Sequence, residues 1–131
     1  MHILLVDDDQ LALLVHKQIM EQLFVGAKIT SYNNPVKLIE DLTNKSIDFP
    51  DVIFSDYHMG AINGVDVLEA IESLFLKNKT ANEKLDFFLV SSESDLKSIT
   101  KNLKHEIFNA CITKPLTEKK VNKLLYSKIA S

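Results

Sequence analysis

A single cysteine, Cys111, is all the thiol chemistry that 131 residues contain. No internal disulfide can form and no cysteine-based metal site can be built, which points to a reducing compartment. A basic excess is missing as well: 15 lysine and arginine residues stand against 18 aspartates and glutamates, for a net charge of −3. Binding to nucleic acid rests on neutralising phosphates, so direct contact with DNA or RNA is not expected. The charge runs are short and mixed, Lys119-Lys120 among them, as on solvated faces. Long apolar runs are also absent. The apolar start, Ile3 to Val6, is far too short for a signal peptide or a membrane span. A soluble, cytoplasmic protein without a membrane partner is the expectation. Internal repeats and low-complexity segments are likewise missing.

What remains is the material of one ordinary domain. The length fits a single unit, residues 1–131, and a hydrophobic share of 46% is enough for a core without disulfide support. Short apolar runs alternate with amphipathic segments. Ile3-Leu4-Leu5-Val6 reads as a fully buried strand, ended by acidic residues. Leu11, Leu14, Val15, Ile19 and Leu23 then follow helical spacing. A second strand is predicted over Ala27 to Tyr32, and Asn34-Pro35 reads as a helix cap and first position, with Val36, Ile39 and Leu42 as the stripe. Val52-Ile53-Phe54 is the third strand, ending at Asp56; Val67, Leu68, Ile71, Leu74 and Phe75 make the next helix face after the Asn63-Gly64 turn. Lys77 to Lys84 reads as a longer connection. Phe87 to Val90 is strand four, and Leu96, Ile99 and Leu103 give a weaker helix. Ala110 to Thr113 is strand five, and Val121, Leu124, Leu125 and Ile129 face inward from the last helix. Five strands alternating with five helices predict an α/β domain with a parallel sheet and helices on both faces.

The polar residues fall at one end of that design. Asp7, Asp8 and Asp9 follow strand one, Asp56 follows strand three, Ser91 and Ser92 follow strand four, and Lys114 follows strand five. Carboxyl ends of parallel strands open onto one crevice. Clustered carboxylates repel unless a cation sits among them, and an all-oxygen donor set suits a hard ion such as Mg²⁺, with Mn²⁺ as the alternative. A carboxylate can also act as a nucleophile and form an aspartyl phosphate, whose oxygens a hydroxyl and an ammonium can hold.

Ile3-Leu4-Leu5-Val6-Asp7-Asp8-Asp9, Asp51-Val52-Ile53-Phe54-Ser55-Asp56-Tyr57-His58-Met59, Asn63-Gly64, Val90-Ser91-Ser92-Glu93 and Thr113-Lys114-Pro115-Leu116 resemble, in order, the motifs of the receiver domains of two-component response regulators. One such motif is weak evidence; the ordered set, spanning nearly the whole chain, is specific. The resemblance implies a doubly wound (βα)5 flavodoxin-like three-layer sandwich with sheet order 2-1-3-4-5. It implies Asp56 as phosphoacceptor, and Asp8, Asp56 and the His58 backbone carbonyl as ligands of Mg²⁺. Asp7 would act mainly through a metal-bound water, Ser91 would bond a phosphoryl oxygen, and Lys114 would pair with the phosphoryl group across a Lys114–Pro115 bond that is often cis in this family. The implied donor is a histidine kinase or a histidine phosphotransfer protein. The implied output is protein contact through the face of helix four, strand five and helix five, by a monomer or a phosphorylation-dependent dimer. Such a domain assists its own phosphorylation and dephosphorylation without being a turnover enzyme. No output domain is expected after the last helix, so the chain is either a stand-alone regulator or one domain of a longer protein.

Two departures stand out. Receiver domains often carry Tyr or Phe three residues before the lysine, where Cys111 stands, so the aromatic part of the switch is in doubt. They often have Pro after the methionine that matches Met59; here Gly60 follows, and glycine leaves that loop freer. Plainer readings compete at single positions. Asp8 or Asp9 would serve as a helix cap, as would one of Ser91 and Ser92. A lone Lys114 would be a solvated charge, His16 reads as a structural or exposed histidine, and His2 and His105 carry no functional signal. For the whole chain there are two rivals. A haloacid-dehalogenase-type phosphatase would use Asp7 as nucleophile and leave Asp56 less well explained. A receiver-fold binding module that is never phosphorylated would not need the full acidic, hydroxyl and lysine set.

Overall fold

A computed structural model describes residues 1–80, 83–100 and 105–129, with only the backbone of 97, 98, 100 and 125–129. The elements alternate as β1 (His2–Val6), α1 (Gln10–Leu23), β2 (Lys28–Tyr32), α2 (Pro35–Thr43), β3 (Val52–Asp56), α3 (Gly64–Asn78), β4 (Asp86–Ser91), α4 (Glu93–Thr100), β5 (Phe108–Thr113) and α5 (Glu118–Ile129). The strands form one parallel sheet in the order β2-β1-β3-β4-β5. That is the expected doubly wound arrangement, with β1 and β3 neighbouring at the point where the winding reverses.

Alternation along each buried strand splits the core in two. Leu4 and Val6 of β1 join Ile53, Phe87 and Leu89 under α2 and α3. Ile3 and Leu5 join Val52, Phe54, Phe88 and Val90 under α1 and α5. Side chains successive on a strand point to opposite faces, so a strand covered on both sides must be apolar throughout. The run Ile3 to Val6 is 0–2% exposed for that reason.

Two helix faces differ from their sequence reading. On α1, Leu11, Leu14 and Val15 are 70%, 61% and 47% exposed, and the buried residues are Leu13 and Met20. Leu11 to Val15 is unbroken apolar sequence, so several helical stripes can be drawn through it and spacing alone does not choose the phase. Residues 13 and 20 lie seven apart, on one face, with 11 and 15 on the opposite one. On α2 the buried residues are Pro35, Leu38 and Leu42, whereas Val36 is exposed and Ile39 half-buried. On α3, Val67, Leu68, Ile71 and Phe75 are buried as expected, with Leu74 half-buried, and the helix runs on to Asn78 into the expected connection. Ile99 is buried on α4 and Val121 on α5. Leu103 and the side chains of Leu125 and Ile129 lie outside the described residues.

No helix among the described residues is long and apolar enough to cross a membrane.

Candidate functional site

The strand ends that carry the polar residues are tied to one another just past the ladder. Asp7 N donates to Tyr32 O at 3.1 Å, Tyr57 N to Val90 O at 3.0 Å and Lys114 N to Ser91 O at 2.8 Å. These bonds hold the first loop residues of β1, β3 and β5 against the neighbouring strands. Gly64 completes the floor: its N–H donates to Tyr57 O at 2.8 Å. A Cβ at Gly64 would sit 2.7 Å from Asp56 O and against the Leu89 side chain, so only glycine fits there. The following helix is held by a capping box, with Asp66 N donating to Asn63 Oδ1 and Asn63 N to Asp66 Oδ2. The sequence Asn63-Gly64 is thus explained by close approach and capping.

Asp7, Asp8 and Asp56 converge in the crevice so formed, with one carboxylate oxygen of each within 4.8 Å of the others. Asp7 and Asp56 are buried, at 2% and 5% exposure, and Asp8 is exposed at the mouth. Asp9 turns away to cap α1, accepting from Leu11 N and Ala12 N. Asp7 Oδ1 accepts from Asp9 N at 2.9 Å, while its Oδ2 is buried without a partner. Burial, together with the charges of Asp56 and Asp8 against the Asp9 hydrogen bond, pushes the Asp7 carboxyl up to about 6. A buried, unpartnered oxygen beside two more carboxylates is the donor set of a hard divalent cation, and the residues present fit Mg²⁺.

Lys114 enters from the far side, its Nζ 2.6 Å from Asp56 Oδ1. Burial works to lower the Lys114 pKa, and Asp56 with Asp7 and Asp8 more than reverses it, so the ammonium is held above its ordinary value. The Lys114–Pro115 bond is cis. Ser91, the last residue of β4, has its hydroxyl buried without a partner. Ser92 is the residue that caps α4, accepting from Asp95 N at 3.4 Å.

His58, two residues beyond Asp56, is exposed; its Nε2 lies 2.7 Å from Asp95 Oδ2. Sequence reading passed over Asp95, which sits 37 residues away in the chain, in a helix first turn where an acidic residue needs no special explanation. A hydrogen bond from Ser92 and the contact with His58 hold the Asp95 carboxyl below its usual range. Gly60 has φ +79°, a value proline cannot adopt, so the turn after Met59 is left-handed. His16 is half-buried on α1, and burial and the charge of Lys114 lower its pKa. Cys111 is half-buried, its thiol pushed up to about 11 by burial. His2 Nε2 meets Thr30 Oγ1, and His105 Nδ1 meets Glu72 Oε1, both away from the crevice.

The sequence matches the family model described as the response regulator receiver domain over residues 3–126. The chain belongs to that family. Solved structures repeat the receiver fold. A response regulator receiver domain protein from Clostridium thermocellum is 19% identical, with a TM-score of 0.74 over 98% of this chain and 94% of its own. A two component response regulator from Cytophaga hutchinsonii is 24% identical, with a TM-score of 0.76 over 99% and 97%. The signal receiver domain of an HD domain-containing protein from Pseudomonas fluorescens Pf-5 is 18% identical, with a TM-score of 0.77 over 98% and 94%. A search of curated proteins gives no match. Size does not mark the receiver site: a hollow of about 680 Å³ lies at the opposite, amino end of the sheet, lined by Ile47, Phe49, Asp51 and Phe75 among others.

Proposed function

We propose that this receiver domain is a Mg²⁺-dependent switch that takes a phosphoryl group on Asp56 from a phosphohistidine, carried by a histidine kinase or a histidine phosphotransfer protein. One observation carries the reading: Asp56, buried beside two other carboxylates, is contacted by Lys114 at 2.6 Å, and the neighbouring strand ends on Ser91, whose buried hydroxyl has no partner. An Asp56 carboxylate oxygen forms the new bond to phosphorus, the donor's P–N bond breaks, and the electron pair stays on the imidazole nitrogen. Lys114 offsets charge on the phosphoryl oxygens, and Ser91 donates its hydroxyl to one of them. Asp7, Asp8, Asp56 and the His58 carbonyl would hold Mg²⁺, or Mn²⁺, which when bound supplies positive charge against those oxygens. Phosphorylation adds about −1.5 to −2 charges, and the response is a shift of the α4-β5-α5 face toward a form that binds an output protein or a second copy. The domain is then a cytoplasmic regulator rather than a turnover enzyme.

A donor must reach Asp56, and the rim beside it is apolar. A groove of about 500 Å³ lies between Leu11, Val15 and His16 of α1 and Lys114, Pro115 and Leu116 after β5. With Leu14 also exposed, α1 offers the donor protein surface to bury next to the reacting groups.

The test is incubation with acetyl phosphate and Mg²⁺, read by intact mass. Wild type is expected to gain one phosphoryl group, lost with EDTA and in Asp56→Asn. If wild type shows no adduct with acetyl phosphate or with phosphorylated kinase, and does not bind beryllofluoride with Mg²⁺, the chain is a receiver-fold interaction module instead.

A further inference from the structure

The loop that follows Asp56 and the start of α4 are linked across the crevice by side chains. His58 Nε2 is 2.7 Å from Asp95 Oδ2, and the same oxygen accepts from Ser92 Oγ at 2.9 Å. Asp95 N returns a bond to Ser92 Oγ at 3.4 Å. One carboxylate oxygen therefore links the β3–α3 loop, the residue next to Ser91, and the first turn of α4. The pair is open to solvent, with side-chain exposures of 72% for His58 and 28% for Asp95. Exposed pairs are weak, so a modest change in the crevice is enough to open this one. Along α4, Leu96 is half-buried and Ile99 is the buried apolar residue among the described side chains.

We infer that Asp95 is a positioning residue: by bridging His58 and Ser92 it latches the β4–α4 loop in its resting place and couples the phosphoacceptor loop to α4. Ser91 and Ser92 are adjacent, so drawing the Ser91 hydroxyl toward a phosphoryl group pulls Ser92 Oγ off Asp95 and frees the first turn of α4. The latch gives the site a route to α4 that needs no ring on β5, where the half-buried Cys111 stands. The opening step rests on the phosphoacceptor reading; the latch itself does not.

The test is a double-mutant cycle of His58→Ala and Asp95→Ala, read by hydrogen exchange of the α4 amides in unphosphorylated, metal-free protein, with the α3 amides as internal control. Each single variant is expected to speed α4 exchange about two- to fivefold and leave α3 unchanged. Adding His58→Ala to Asp95→Ala is expected to do nothing more. Unchanged α4 exchange in His58→Ala, or effects of the two substitutions that multiply, would overturn the latch. A second arm measures beryllofluoride binding with Mg²⁺, which His58→Ala is expected to tighten about two- to fivefold because the closed latch opposes the bound form. Binding equal to or weaker than wild type would overturn the latch's part in switching. Absence of binding in every variant counts against the phosphoacceptor reading and leaves the exchange result to decide the latch.

Discussion

Helices α3 and α4 both start from loops that frame the crevice, and they are held in opposite ways. Helix α3 buries Gly64, Val67, Leu68, Ile71 and Phe75, and a reciprocal capping box closes its first turn. Its entry is wedged against the backbone of Asp56 itself. Helix α4 buries Ile99 among its described side chains, and its start is tied by the solvent-exposed His58–Asp95 contact and the part-buried bond from Ser92. After α4, Glu72 of α3 accepts from Ile107 N at 3.1 Å and meets the His105 ring at 3.0 Å. Apolar burial makes a floor that keeps the nucleophile still; polar contacts exchange readily with water and leave a wall that can shift. A switch needs both, because movement is informative only relative to something fixed.

The sharpest way to break that contrast is to disturb the floor. Gly64→Ala places a methyl group where the Asp56 carbonyl and the Leu89 side chain already are. Overpacking of this kind costs about 2–3 kcal/mol, and the shift falls on Asp56. Urea unfolding is expected to show that loss, with weaker Mg²⁺ binding beside it. A cost below about 0.5 kcal/mol would mean that the floor yields as easily as the wall, and the contrast would fail.

The next effect is electrostatic and also belongs to the floor. In the metal-free protein the Asp7 carboxyl is raised to about 6 from 3.8, chiefly by burial. Between those two values the folded chain keeps a proton that the unfolded chain has released, so stability falls as pH rises through the window and stays lower above it. Asp7→Asn removes the titration and keeps an oxygen for the Asp9 N–H. The variant is expected to be more stable than wild type above pH 6 by on the order of 1–2 kcal/mol, reduced from the full shift because the crevice mouth is wet. The difference should vanish near pH 4, as read by urea unfolding with EDTA at both pH values. A constant difference across the range would assign the effect to packing instead.

The same contrast separates what the sequence disclosed from what it withheld. Strands covered on both faces must be apolar along their length, so Ile3 to Val6 and Phe87 to Val90 announced themselves. Because parallel strands end on one side, the positions of Asp7, Asp8, Asp56 and Lys114 relative to those runs pointed to one crevice, and the structure brings these four together. The phase of α1 was not legible, since five consecutive apolar residues from Leu11 to Val15 fit more than one face. Nor was the bridge to Asp95: it pairs residues 37 apart in loop and helix-start positions, where neither periodicity nor capping preference marks a partner. Gly60 lay between the two cases. Its replacement of the usual proline was visible, and the structure adds that the backbone there is at φ +79°.

The smallest expected effect lies on the wall, and its smallness is the point. Ser92→Ala removes the α4 cap, but the bond it loses from Asp95 N is long, at 3.4 Å, so the global cost should be under about 1 kcal/mol, at the low end for caps. Local consequences should be larger than that figure suggests. Ser92 Oγ is also the donor that anchors Asp95 beside His58, so the α4 amides are expected to exchange faster while the α3 amides and the unfolding midpoint scarcely move. That pattern is the reverse of Gly64→Ala, where the whole molecule is destabilised together. If Ser92→Ala instead lowered the global midpoint as much as Gly64→Ala, α4 would be part of the same cooperative unit as the floor. It could not then shift alone when the site is phosphorylated.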